Sequence, residues 1–208
     1  MMNVIKKIDW TVVAIGLGLC LLPLVLGQVF WADLPDKFAT HVSLDGQVNG
    51  VTDKSWILLG QPLLLAGIYL VLSIILGSLG IGEQPVIRAF KLGSALLITI
   101  LQTALLFFNL GWDIDMRKVA VLIVAIGWLL VGNYGTKEGP HQQKKLEQTA
   151  VSLVLRKQTS YLFVRAGLVL LLSLLFPIQL SFVLLLLVTF GAICWFIYAS
   201  SLSHSLKK

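Results

Sequence analysis

The sequence predicts an all-α membrane protein, a polytopic transmembrane helix bundle of about six spans. Composition is the first observation, because 57% of the 208 residues are hydrophobic and only 12% are charged. A soluble domain carries about 25% charged residues. The second observation is that the apolar residues gather into runs near the roughly 20 residues that a helix needs to cross a bilayer. Together they exclude an ordinary soluble globule.

Six segments have the composition of membrane-spanning helices. In chain order they are residues 11–30, 56–79, 92–112, 119–134, 161–176 and 178–199. We interpret the first as an uncleaved span, because it is longer than a signal-peptide core and "QVFWAD" offers no A-x-A cleavage site. The last two are predicted as a hairpin, because a single helix over 166–199 would be about 50 Å long and "FPIQLS" supplies a turn.

Lysine and arginine placement predicts the orientation, with both termini in the cytoplasm. The basic residues assigned to the cytoplasmic side are Lys6, Lys7, Arg88, Lys91, Lys137, Lys144, Lys145, Arg156, Lys157, Arg165, Lys207 and Lys208. Those assigned to the outside are Lys37, Lys54, Arg117 and Lys118. The outer surface also carries more carboxylates than cations, so it is mildly acidic.

The chain is predicted to have two parts. Residues 1–80 hold two spans joined by a polar outer loop, 31–55, and residues 81–208 hold four spans. A cytoplasmic amphipathic segment, 136–160, separates the fourth and fifth spans. Its apolar stripe and its charges Lys144, Lys145, Arg156 and Lys157 suit either the lipid surface or a soluble partner.

Catalytic chemistry has no visible basis in this sequence. There is no HExxH, CxxC, nucleophile elbow or phosphate loop, so we expect no catalytic residue, metal or cofactor. The basic residues form no stripe, so direct nucleic-acid binding is not expected. Gln61, Gln102 and Asn109 are the polar residues of the predicted spans; they serve either as interhelical hydrogen-bonding groups or as a polar path.

The outer loop carries the candidate ligand-binding residues, which are Pro35, His41, Asp45, Gly46 and Lys54. Turn formers and charged groups of this kind either present a recognition surface or cap the helix bundle. Both interpretations stay open at the level of sequence.

The same loop resembles a known bacterial module. Its matching residues are Leu34-Pro35, Phe38, His41, Gly46, Asn49-Gly50 and Lys54. This order is similar to the N-terminal module called DUF1648 in the SdpI-like family of bacterial membrane proteins. "VGNY" at 131–134 is a weaker similarity, and beyond it "GTKEGPHQQKK" departs from the family's inner segment.

The resemblance implies a non-enzymatic, multi-pass protein of the bacterial plasma membrane. It implies immunity against an extracellular, membrane-active toxin peptide, signalling by holding a cytoplasmic repressor at the membrane, or both. Two alternatives come from the residues. A small transporter would use the intramembrane polar side chains, directly or as a homo-oligomer, and an accessory subunit would pack through Ser73 and Gly77.

Overall fold

The computed structural model describes residues 8–79, 84–134 and 150–205. Its elements are α1 (Trp10–Val29), β1 (Lys37–Val42), β2 (Val48–Asp53), α2 (Gln61–Ser78), α3 (Pro85–Asn109), α4 (Met116–Tyr134), α5 (Ala150–Ser173) and α6 (Ile178–Ser205). A 3₁₀ turn, Trp31–Asp33, follows α1, and a π-helical turn, Trp56–Gly60, leads into α2. The predicted all-α polytopic bundle is confirmed.

Five of these helices are long and apolar enough to cross a membrane. They are Trp10–Val29, Trp56–Ser78, Pro85–Asn109, Met116–Tyr134 and Ile178–Leu202. The remaining helix, α5, is outside this set and carries Arg156, Lys157 and Arg165. The fifth span, 161–176, therefore remains a prediction.

The chain divides into two compact units, Met1–Ile123 and Val124–Lys208. In the first unit α1 packs against both α2 and α3. Gly16 of α1 packs directly against Tyr69 of α2, whose hydroxyl donates a 3.1 Å hydrogen bond to the Val12 carbonyl. A Cβ on Gly16 would lie 1.9 Å from that hydroxyl oxygen, so only glycine permits the contact. The division at residue 80 remains a prediction.

Charged side chains tie the same end of α1 to α3. Asp9 accepts a hydrogen bond from the Val12 N–H at 3.2 Å and so caps α1. Its carboxylate also pairs with Arg88 at 2.7 Å. Lys91, 3% exposed, donates to the Ser73 carbonyl at 3.3 Å. These contacts tie the starts of α1 and α3 together and hold α3 beside α2.

In the second unit α5 and α6 form the predicted hairpin. The turn contains Pro177, and the Ser181 hydroxyl donates to the Ser173 carbonyl at 3.1 Å across it. At the other end, Trp195 Nε1 donates to Thr159 Oγ1 at 2.8 Å. The helix α5 is continuous from Ala150, so the described end of the amphipathic segment extends the fifth span. Lys144 and Lys145 lie outside the described residues.

The outer loop contains regular structure that the sequence did not predict. β1 and β2 pair antiparallel, with Phe38 opposite Thr52 and Ala39 opposite Val51. The strands are short, carry polar residues on both faces and depend on contacts with α3. The local sequence therefore has no pattern that predicts strands. The loop is a β-hairpin standing on the helices of the first unit.

Candidate functional site

The turn of the outer hairpin is rigidly closed. The Ser43 N–H donates to the Gln47 carbonyl at 2.9 Å, and the Ser43 hydroxyl donates to the Asp45 carboxylate. Gly46 has a φ of +91°, a conformation that disfavours any side chain. Hydrogen bonds from Ser43 and then Gln47 lower the pKa of Asp45. The predicted residues Asp45 and Gly46 thus shape the hairpin tip.

Phe38 anchors the hairpin in the helix bundle. Its side chain is completely buried, in a cluster with Leu34, Leu58, Leu105 and Leu106. Burial of a side chain of this size contributes roughly 1.5–3 kcal/mol. One face of β1 is therefore fixed to the end of α3 and to the π-helical turn that leads into α2.

Asn109, at the end of α3, binds the edge of β1 as a further strand would. Its side-chain oxygen accepts from the Ala39 N–H at 2.7 Å, and its side-chain nitrogen donates to the Ala39 carbonyl at 3.0 Å. The same nitrogen also donates to the Leu105 carbonyl at 2.9 Å. Both amide atoms of Asn109 therefore have hydrogen-bond partners, and two of these bonds hold β1 against the end of α3.

Lys54 joins backbone segments at the base of the hairpin. Its ammonium donates to the carbonyls of Trp31 at 3.1 Å and Leu34 at 2.8 Å. It lies 3.4 Å from the Asp36 carboxylate and 5.1 Å from the centre of the Trp31 ring. Because the side chain is only 12% exposed, we propose that Lys54 stabilises the base of the hairpin.

Arg117, which the sequence analysis did not single out, holds the hairpin tip. Two nitrogens of its guanidinium donate to Asp115 at 2.9 and 3.0 Å, and a third donates to the Leu44 carbonyl at 2.9 Å. A Cβ on Gly46 would lie 3.3 Å from the guanidinium carbon. Arg117 lowers the pKa of Asp115 by hydrogen bonding. No sequence motif links these residues, since the contact joins positions about seventy apart.

Two predicted residues remain on the surface. His41 is exposed, and its Nδ1 hydrogen-bonds to the side-chain oxygen of Asn49 on the neighbouring strand. Pro35 is exposed between the 3₁₀ turn and β1. The structure brings His41, Asp45 and Gly46 onto one hairpin, but it places Lys54 at the base.

The outer edge of β2 is open. Lys54 N–H donates to the Asp36 carbonyl at 3.0 Å, and the Cα pairing then places Thr52 opposite Phe38. Because the backbone groups of successive strand residues point to opposite sides, Val51 and Asp53 direct theirs away from β1. Within the described ranges these outward groups have no hydrogen-bond partner. Val48 and Val51 are also exposed, at 45% and 60%.

The other predicted site residues lie outside the outer hairpin. Both amide atoms of Gln102, and the side-chain oxygen of Gln61, are buried without a hydrogen-bond partner in the described part of the chain. Of the predicted inner docking charges, Arg156 and Lys157 lie on α5. Among the residues at 8–79, 84–134 and 150–205, no three His, Cys, Asp or Glu side chains group as a metal site.

Residues 18–66 match the family model described as a domain of unknown function, DUF1648. The match runs from the middle of α1 through the hairpin into α2, about a quarter of the chain. It confirms the DUF1648 part of the resemblance. No curated protein and no solved structure matches the chain.

Proposed function

We propose that this protein is a non-enzymatic bacterial membrane protein that confers immunity against an extracellular, membrane-active peptide. The observation that supports this most is the asymmetry of the outer hairpin. One edge, β1, is closed by Asn109, whereas the other edge, β2, presents unpaired backbone groups at Val51 and Asp53. An extended peptide would add to β2 as a third strand.

Preorganisation supports the proposal, because a rigid edge loses little conformational entropy when it binds. Phe38, Asn109, Lys54 and Arg117 each fix a different part of the hairpin. The exposed valines 48 and 51 offer apolar contact beside the backbone groups. The hairpin would therefore supply both hydrogen bonds and side-chain contacts to a peptide.

Charge supports a cationic peptide. The predicted outer segments carry six aspartates, Asp33, Asp36, Asp45, Asp53, Asp113 and Asp115, against four lysines and arginines. Three of them pair with Lys37, Lys54 and Arg117. The excess of two negative charges would attract a cationic peptide toward the outer face at long range.

Survival of a sensitive bacterial strain tests the proposal. The strain would express the intact protein or Val51→Pro and be challenged with cationic peptides secreted by the source organism. Proline at residue 51 removes the outward N–H, a change that an edge strand tolerates. We expect the intact protein to protect and Val51→Pro to lose at least tenfold in protection.

Val51→Thr is the matched control, because it keeps both the N–H and a β-branched side chain. All three proteins must be present at equal levels in the membrane. Equal protection by Val51→Pro and Val51→Thr would contradict pairing at the β2 edge. Absence of protection by the intact protein would contradict immunity itself.

Repressor binding at the membrane, transport and an accessory-subunit role remain predictions from the sequence. No contact among the described residues favours one of these three roles over peptide binding at the outer hairpin. Asn109, one of the three polar residues named for the transport alternative, hydrogen-bonds to Ala39 of the hairpin.

A further inference from the structure

An open groove runs between α5 and α6 in the second unit. Its volume is about 560 Å³. Its lining includes Gln158, Arg165 and Val169 of α5 and Val188 and Gly191 of α6. Because Thr159 bonds to Trp195 and Ser181 to Ser173, Gly191 lies between the levels of Gln158 and Arg165. The polar side chains of the groove thus lie toward the start of α5, and Val169 lies beyond them toward the turn between α5 and α6.

The shape of the groove is fixed by contacts between α5 and α6. The two helices are tied at one end by Trp195 and Thr159 and at the other by Ser181 and Ser173. Between these ties α6 contributes Gly191, and a Cβ there would meet no atom within 4 Å. The small residue leaves open space between two helices that are otherwise fixed.

Arg165 is an uncompensated charge in this groove. Its side chain is exposed, and in the described part of the chain it has no ion pair or hydrogen bond. Neither α5 nor α6 contains an aspartate or glutamate that could neutralise it. A charged side chain next to an apolar segment is stabilised by a partner of opposite charge, and an anionic partner for Arg165 would have to come from outside these two helices.

We infer that the groove binds an anionic phospholipid of the cytoplasmic leaflet. Lysine and arginine bias places the start of α5 at that leaflet, and Gln158 lies about 10 Å nearer to it than Arg165 along the helix axis. The Arg165 side chain reaches back toward the interface and donates, with the Gln158 amide, to the lipid phosphate. The phosphate lies beside Gly191, and one acyl chain runs from there along Val188 and Val169 toward the turn between α5 and α6.

A second cavity of about 240 Å³ adjoins the polar end and shares Tyr161 with the groove. Its lining includes Asn133, Lys157 and Ser160, which are hydrogen-bond donors. It provides a place for the polar headgroup beyond the phosphate. Basic pockets between helices at the cytoplasmic side are typical anionic-lipid sites.

Native mass spectrometry of the full-length protein in neutral detergent tests this inference. The protein would be titrated with phosphatidylglycerol, with phosphatidylcholine, and with glycerol 3-phosphate, which has the phosphate but no acyl chains. We expect phosphatidylglycerol to bind at least fivefold more tightly than phosphatidylcholine. Glycerol 3-phosphate should not bind measurably, and its binding as tightly as the lipid would overturn the inference.

Three variants locate the lipid. Arg165→Gln removes the charge and should weaken phosphatidylglycerol binding at least fivefold, and Gly191→Leu should do the same by filling the groove. Lys37→Gln, on the outer hairpin, removes one charge elsewhere and should bind as the intact protein does. Phosphatidylglycerol binding by Arg165→Gln or Gly191→Leu equal to that of Lys37→Gln would overturn the assignment.

Discussion

At the scale of single residues, polar side chains near the membrane surface hold backbone segments in place. Asn109 satisfies the N–H and C=O of Ala39, and Lys54 satisfies the carbonyls of Trp31 and Leu34. Buried backbone groups without partners are costly, so each of these side chains stabilises an irregular part of the chain. The candidate site is rigid because of such contacts.

Asn109→Ala should loosen the hairpin. The change leaves the Ala39 N–H without a partner in a partly buried place, at a cost of roughly 1–3 kcal/mol. Hydrogen exchange of the Ala39 amide should therefore accelerate by about ten- to a hundredfold, and the protein in detergent should unfold at a lower temperature.

Asn49→Ala is the control for this change. It makes the same chemical substitution on the hairpin, where Asn49 is exposed and bonds only to the exposed His41. Its Ala39 amide should exchange as in the intact protein. Equal exchange at Ala39 in both variants would show that Asn109 does not hold β1.

At the scale of elements, hydropathy located five helices that are apolar enough to cross a membrane, but not the ends of the helices. The third span was predicted as 92–112, whereas α3 begins at Pro85 and ends at Asn109. Pro85 suits the first helical turn, and Arg88 and Lys91 find partners in Asp9 and Ser73. Hydropathy identifies the part of a helix that is apolar enough to contact lipid. It does not detect the polar turns by which α3 extends beyond that part.

The strands of the outer hairpin were beyond local prediction for a different reason. The residues that stabilise β1 come from α3, and Asn109 is seventy positions away from Ala39. Motif similarity selected His41 and Gly46, which share the hairpin, and also Lys54, whose ammonium donates to the carbonyls of Trp31 and Leu34 at the hairpin base. The sequence could not indicate the role of Arg117, because its partner at the tip is a backbone carbonyl, which every residue has.

The packing of α1 against α2 should depend on one glycine. A Cβ at Gly16 would overlap the Tyr69 ring, whereas a Cβ at Gly18 would meet no atom within 4 Å. Gly16→Ala should therefore destabilise the first unit by about 1–3 kcal/mol, the usual cost of overpacking. Thermal unfolding of the purified variant in detergent measures this loss.

Gly18→Ala tests the same substitution two residues away in the same helix. It should be neutral or slightly stabilising, because alanine lowers the entropy of the unfolded chain. Unfolding temperatures that fall equally for both variants would refute the role of the Gly16–Tyr69 contact.

At the scale of the whole molecule, charge along the chain predicts which segments face the cytoplasm. Twelve lysines and arginines are assigned to that side and four to the outside, a bias that orients membrane proteins during insertion. The hairpin tip at Asp45 should therefore face outward, and Gln142, in the segment between α4 and α5, should face the cytoplasm.

Labelling of single cysteines in cells measures this orientation. In a background with Cys20→Ala and Cys194→Ala, Asp45→Cys should react with a membrane-impermeant maleimide in intact cells, since residue 45 is exposed at the hairpin tip. Gln142→Cys should react only after the membrane is permeabilised. Labelling of Gln142→Cys in intact cells at the rate of Asp45→Cys would contradict the topology. It would also remove the peptide site from the outer face and the lipid site from the cytoplasmic leaflet, because both rest on this orientation.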